Sequence, residues 1–209
     1  MKSFASFSDF EEGLLRRLEG DLPGKEAHSR MAGAHYIGWP EPVASSRSSA
    51  VLILFYPTDD GIRFPLIQRP TYEGVHSGQI AFPGGKVDPT DQDLNDTALR
   101  EAWEEIGVPP GDVKILGQLS EIYIKVSDMK VVPVIGTLAA PPSFIPDPRE
   151  VERVFEIKLA DISELSSIET GRIPIRGGYL TVPFYNYQGQ KIWGATAMMI
   201  SELLEIIEG

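Results

Sequence analysis

The chain has 209 residues, of which 42% are apolar and 23% charged, an ordinary balance for a protein with one good hydrophobic core. It has no cysteine, which excludes disulfides and thiolate metal centres and leaves carboxylates, carbonyls and histidines to bind any cation. A formal net charge of -11 argues against nonspecific nucleic-acid binding, yet leaves room for a small anionic substrate held through metal ions. No signal peptide is expected, because Asp9, Glu11 and Glu12 follow soon after the start. The strongest apolar run, residues 50–56, is too short to span a bilayer, so a cytoplasmic protein without a membrane partner is expected.

In chain order, Ser8 as N-cap with Glu11 three residues on forms a capping box. It opens an amphipathic helix through Leu14, Leu15 and Leu18, which Gly20 ends. Residues 21–49 are rich in Pro, Gly and Ala and read as an irregular arm. Residues 1–49 are thus expected to pack, as helix and arm, on a domain formed by residues 50–209. Residues 50–56 and 62–68 read as two strands of a hairpin turned at Thr58-Asp59-Asp60-Gly61. A short strand over 79–82 leads into Phe82-Pro83-Gly84-Gly85-Lys86. A helix is predicted over 94–106, with Asp93 or Asn95 as its cap and Gly107 in the left-handed position beyond it. Residues 113–124 and 129–138 read as strands joined at Lys125-Val126-Ser127-Asp128, and 139–148, with four prolines, as an exposed loop. Residues 151–157 follow as a strand, and Asp161 is placed as the cap of a short helix. A hairpin of 180–187 and 190–193 across Gln188-Gly189 precedes a closing helix over 196–207. The pattern predicts one α/β domain, a mixed sheet covered by helices on both faces.

The helix over 94–106 carries the chemistry. Ala98, Leu99, Ala102 and Ile106 form its predicted buried stripe, and Glu101, Glu104 and Glu105 fall on an adjoining one. Three like charges that close repel, and a hard divalent cation with oxygen ligands is the simplest offset. Gly84 and Gly85 just upstream permit a tight turn that leaves a carbonyl facing a metal or phosphate. Taken alone, each feature has a bland reading: a solvated acidic face, or an ordinary turn.

Together they resemble a known family. Residues 85–108 are similar to the Nudix box, the loop-helix-loop signature of enzymes that cleave nucleoside diphosphates linked to another group. The half from Arg100-Glu101-Ala102-Trp103-Glu104-Glu105 to Val108 matches it position by position. The first half departs: Asp91 stands where a glutamate is usual, and the interval from it to Arg100 is one residue longer. The run from His76-Ser77-Gly78-Gln79 to Gly85, preceded by Leu66-Ile67-Gln68-Arg69, resembles the added signature of the coenzyme A pyrophosphatase branch. Asp88-Pro89-Thr90-Asp91 and Ile192-Trp193-Gly194-Ala195-Thr196-Ala197 are also similar to that branch, while Pro70 and Val75 depart from it.

The resemblance implies a Nudix-like α/β/α sandwich. It implies a Mg2+- or Mn2+-dependent hydrolase that splits coenzyme A or its derivatives into adenosine 3',5'-bisphosphate and 4'-phosphopantetheine. Glu101, Glu104 and Glu105 are implied metal ligands, and Glu101, Glu104 and Arg100 form the catalytic set, with Arg100 orienting a neighbouring carboxylate. The general base is left open between the helix glutamates and Glu150 or Glu152. Arg69, His76, Gly84 and Gly85 are candidate substrate contacts. For Arg69 the alternative is a surface ion pair, and for His76 a locally hydrogen-bonded loop residue. Lys125 and Lys130 are candidates for a 3'-phosphate or are simply solvated; Trp193 reads as core. The alternatives in function are hydrolysis of ADP-ribose, a dinucleotide or a nucleoside triphosphate, and a noncatalytic nucleotide-binding regulator. A homodimer is expected by analogy only.

Overall fold

The structure is a computed structural model and describes residues 4–33, 36, 39–72, 76–164, 168–175 and 178–209. Its elements in chain order are α1 (Phe7–Leu18), α2 (Lys25–Ser29), β1 (Arg47–Thr58), β2 (Gly61–Gln68), β3 (Ile80–Ala81), β4 (Gly84–Lys86), α3 (Leu94–Ile106), β5 (Lys114–Gln118), β6 (Ile122–Ile124), β7 (Met129–Thr137), β8 (Arg153–Lys158), α4 (Leu159–Glu164), β9 (Glu169–Ile175), β10 (Gly178–Tyr187), β11 (Gln190–Trp193) and α5 (Gly194–Glu208).

Strand β1 organises the molecule. It pairs in parallel with β7 along one side. On its other side it pairs antiparallel with β4 over Ser49 to Val51 and with β2 over Tyr56 to Thr58. Strands β3 and β8 extend the sheet from β2, and β5 and β6 from β7. The sheet is therefore mixed, as predicted, and β9, β10 and β11 form a second, antiparallel one.

Alternate residues of β1 feed two cores, as the period of two in a strand dictates. Ala50, Leu52, Leu54 and Tyr56 pack with Ala98, Ala102 and Ile106 of α3. Ile53 and Phe55 pack on the opposite face with Phe10 and Leu14 of α1 and Met198, Met199 and Leu203 of α5. Helices thus cover both faces of the sheet, giving the α/β/α layering of the predicted class. No helix among the described residues is long and apolar enough to cross a membrane.

Several local predictions need correction. The cap of α1 is Ser6, whose hydroxyl accepts the Asp9 N–H, not Ser8, which lies inside the helix. The arm over 21–49 is not wholly irregular: it contains α2, and β1 already begins at Arg47. The strand predicted over 113–124 is two strands, β5 and β6, both antiparallel to β7, and β5 itself carries a register shift between Ile115 and Gly117. Asp161 sits in the first turn of α4 rather than capping it. Strand β9 went unread; only Ile173 within it is buried. In α3, Leu99 is half-exposed, while Thr97 and Glu105 join the buried face.

The leading segment is tied in by a buried carboxylate. Glu202 of α5 is wholly buried, and its oxygens pair with the Gly24 N–H at 3.2 Å, His28 Nε2 at 2.8 Å and the Ser120 hydroxyl at 2.6 Å. These hydrogen bonds hold the Glu202 carboxyl below its ordinary range against the upward push of burial.

Candidate active site

Helix α3 has the bounds that its ends dictate. The Asp93 carboxylate accepts the N–H groups of Asn95 and Asp96, and Gly107 closes the helix with φ 74°. Thr97, Glu101 and Glu105, each four residues apart, form one ridge of it. That ridge lies on β4. Gly85 faces Ala50 across the pair with β1, and a Cβ placed on Gly85 would come within 2.4 Å of Glu101 Oε2. The Gly84 N–H donates to Glu105 Oε2 at 2.8 Å. Gly84 has φ 153°, and a Cβ there would lie 2.4 Å from the Ala50 carbonyl oxygen. The diglycine thus lets the glutamate ridge settle directly on backbone.

The three glutamates are not equivalent. Glu105 is 1% exposed. Burial pushes its carboxyl up to about 7, although the Arg69 guanidinium and the Gly84 N–H pull the other way. Arg69, just beyond β2, donates to the Gly84 carbonyl at 3.1 Å and stands 3.8 Å from Glu105 Oε1. Glu101 is mostly buried, and desolvation likewise raises its carboxyl, with Arg100 opposing. Glu104 is half-exposed, and its Oε2 accepts from Arg100 at 3.0 Å.

Arg100 spends all five N–H donors inside the protein. Nε and Nη2 grip the two oxygens of Asp91 at 2.9 and 3.1 Å. Nη1 reaches Glu101 Oε1 and Glu104 Oε2, both at 3.0 Å, and Nη2 also donates to the Lys86 carbonyl. The fork is the bidentate pair foreseen for Arg100, and its partner is Asp91. With its donors saturated, Arg100 orients carboxylates and has no N–H to spare for a substrate. These bonds hold the Asp91 carboxyl well below the usual range.

The loop after β7 adds a fourth carboxylate. The Asp147 N–H donates to the Glu105 carbonyl, and Glu150 raises the carboxyls of both Glu101 and Glu105 by its negative charge. Glu150 and Glu152 are both exposed, and the Glu152 N–H is bonded to the Gln68 carbonyl. Of the two later candidates, Glu150 is the one whose charge acts on Glu101 and Glu105.

The remaining candidates are more dispersed. His76 has φ 69°, and its Nδ1 lies 2.9 Å from Gln79 Oε1 in a turn beside Arg69. Val75 lies outside the described residues. Lys130 is on β7 and Lys125 in the turn before it, across β1 from the diglycine. Trp193 ends β11 and is partly buried. Thr97 was not singled out from sequence; the available signal was its place four residues before Glu101.

The donor set suits a hard divalent cation: only carboxylate oxygens, two of them desolvated and incompletely offset, on a backbone cradle that a Cβ would fill. Among the described residues, no three acidic or histidine side chains already converge around one point, because Arg100 holds Glu104 outward and takes one oxygen of Glu101. Of the helix carboxylates, Glu101 Oε2 and Glu105 are the ones without an Arg100 hydrogen bond, and Glu150 acts on both residues by its charge.

Comparison with known proteins accords with this geometry. Residues 46–175 match the NUDIX domain family. The chain is 40% identical over 143 residues to the uncharacterized Nudix hydrolase NudL of Photorhabdus laumondii, covering 68% of this chain and 76% of that protein. It is 35% identical over 191 residues to the Yersinia pestis NudL, covering 91% and 92%. The fold is similar to that of RenU, a Nudix hydrolase from M. Smegmatis, with a TM-score of 0.55 and 18% identity over 78% of this chain and 86% of that one. It is also similar to the NUDIX domain of Shewanella oneidensis NrtR, with a TM-score of 0.51 and 19% identity over 84% and 98%. The glutamate ridge seated on a diglycine, in a chain with these relatives, belongs to a member of the Nudix hydrolase family.

Proposed function

We propose that the protein hydrolyses the diphosphate bond of coenzyme A or its derivatives, with Mg2+ or Mn2+, to adenosine 3',5'-bisphosphate and 4'-phosphopantetheine. The observation that carries the hydrolytic part is the contact of Glu101 and Glu105 with Gly85 and Gly84. Hydrolases of this family generally use divalent metal ions. Glu101 and Glu105 would hold the ion directly, with Glu104 in support through Arg100. Bound there, the cation supplies Lewis-acid stabilisation of the diphosphate oxygens and a water acidic enough to attack.

The chain's own groups do the rest. Arg69 is partly exposed beside Glu105 and offers its remaining donors to a substrate phosphate. Glu150 is the candidate general base, since its negative charge acts on both Glu101 and Glu105. Gln79 is tied to Arg69, whose N–H donates to the Gln79 carbonyl, and His76 lies 2.9 Å from the Gln79 side chain, so both are candidates to meet a substrate held by Arg69. The coenzyme A assignment rests on the run over 66–85 and on Ile192 to Ala197. Thr196 in the latter bonds the Ile80 carbonyl, which links the two stretches in space.

Incubation with coenzyme A, with and without Mg2+, followed by mass spectrometry of the products, tests the proposal. Both products are expected only with the metal. Hydrolysis of ADP-ribose in wide preference to coenzyme A, in the same panel, would reject the substrate.

A further inference from the structure

Thr97 is wholly buried on the ridge that carries Glu101 and Glu105, yet it bears a hydroxyl. That hydroxyl donates to Asp91 Oδ2 at 2.8 Å. The same carboxylate accepts the Asp88 N–H at 2.9 Å, and both of its oxygens receive the Arg100 fork. Asp91 is one methylene shorter than the glutamate usual there and stands one residue further from Arg100. A short carboxylate on a longer loop needs extra anchoring to meet the guanidinium squarely, and Thr97 provides it from within the helix.

We infer that Thr97 is a positioning residue for the metal ligand Glu101, acting through Asp91 and Arg100; the inference rests on the proposed metal-dependent reading of the site. Asp91 occupies Nε and one Nη2 hydrogen of Arg100, so that a single Nη1 hydrogen reaches Glu101. Glu101 Oε2 is then left against Gly85. Without the Thr97 hydroxyl, Asp91 can swing from the fork. The nearest acceptors for the released N–H groups are Glu101 and Glu104, and Arg100 then competes with the cation for the Glu101 carboxylate. Outer partners of this kind set metal affinity by factors of about 10 to 100.

The test is Mn2+ binding to the intact protein, followed by electron paramagnetic resonance and by calorimetry, with melting curves recorded alongside. Thr97→Val keeps the side-chain shape and removes the donor; its Mn2+ affinity is expected to fall about tenfold. Thr97→Ser keeps the hydroxyl and is expected to bind as the parent does. Parent-like binding by T97V, or an equal loss in T97S, overturns the inference. Should T97V not fold, Asp91→Asn carries the test, and parent-like affinity in D91N overturns the inference equally. A parent that binds no Mn2+ refutes the metal reading itself, an outcome distinct from failure of the Thr97 inference.

Discussion

Replacing Glu105 by Gln is expected to abolish most turnover while making the metal-free protein more stable. The two effects share one cause. Glu105 is almost fully buried, and its carboxyl is raised to about 7 from an ordinary 4.5. The folded state therefore binds that proton more tightly than the unfolded state does. Stability from this group is fully present below pH 4.5 and is lost as pH rises to about 7 and beyond. The loss is on the order of 3 kcal/mol. Asp91 and Asp88, whose carboxyls are lowered, change protonation below this window and do not offset it. Gln keeps the shape without the charge, so E105Q should melt higher than the parent above pH 7 and lose less stability than the parent from pH 5 to 8. Glu101, whose carboxyl is also raised, is left to contribute a slope of the same sign. The lost ligand removes charge stabilisation of several kcal/mol, so kcat should fall by about 10^2 to 10^4. Urea unfolding across pH without metal, and turnover at saturating Mg2+, measure the two halves. Parent-like turnover in E105Q would dismiss Glu105 as a ligand.

The two adjacent glycines are expected to fail in opposite ways. In Gly84→Ala the new methyl meets backbone, the Ala50 carbonyl at 2.4 Å and Val51 Cα at 2.5 Å, at a φ that side chains avoid. Backbone in a central sheet cannot give way, and the variant should lose about 3 kcal/mol or more of stability. In Gly85→Ala the atoms nearest the methyl are those of the Glu101 carboxylate, at 2.4 to 2.6 Å. That group ends a flexible side chain and moves aside. G85A should fold with a stability loss within about 1 kcal/mol, yet lose about 10^2 in kcat, as misplacement of a reacting group by about 1 Å does. Chemical denaturation and turnover of both variants separate the cases. Full activity in G85A would mean that the position of Glu101 against the diglycine is immaterial.

Helix α3 was legible because its signals are local: a capping aspartate, an apolar stripe and a terminal glycine, all within 15 residues. The acidic cluster was legible for the same reason. Its inequality was not. Glu105 is buried and Glu104 exposed because of what packs on each, namely Gly84, Arg69 and the loop over 147–151. None of these is near them in sequence. The role of Asp91 was readable only as a departure from a pattern; the structure shows its fork with Arg100. Strand β9 was missed because Glu-Thr-Gly-Arg-Ile-Pro-Ile has little alternation and packs by one residue. Ser8 read as the cap because Glu11 stands three residues on, the capping-box spacing, whereas Ser6, the actual cap, has Asp9 at that place.

The Glu202 clasp sets a boundary that family resemblance alone would misplace. The matched region starts at residue 46, but the anion in the interior is satisfied from residues 24 and 28. A polypeptide trimmed to the matched region would lose Glu202 and keep only Ser120 of these partners; one trimmed only at its front would leave the buried carboxylate with Ser120 but without the Gly24 N–H and His28. Residues 24 and 28 thus couple the leading segment to the closing helix α5 through one buried side chain.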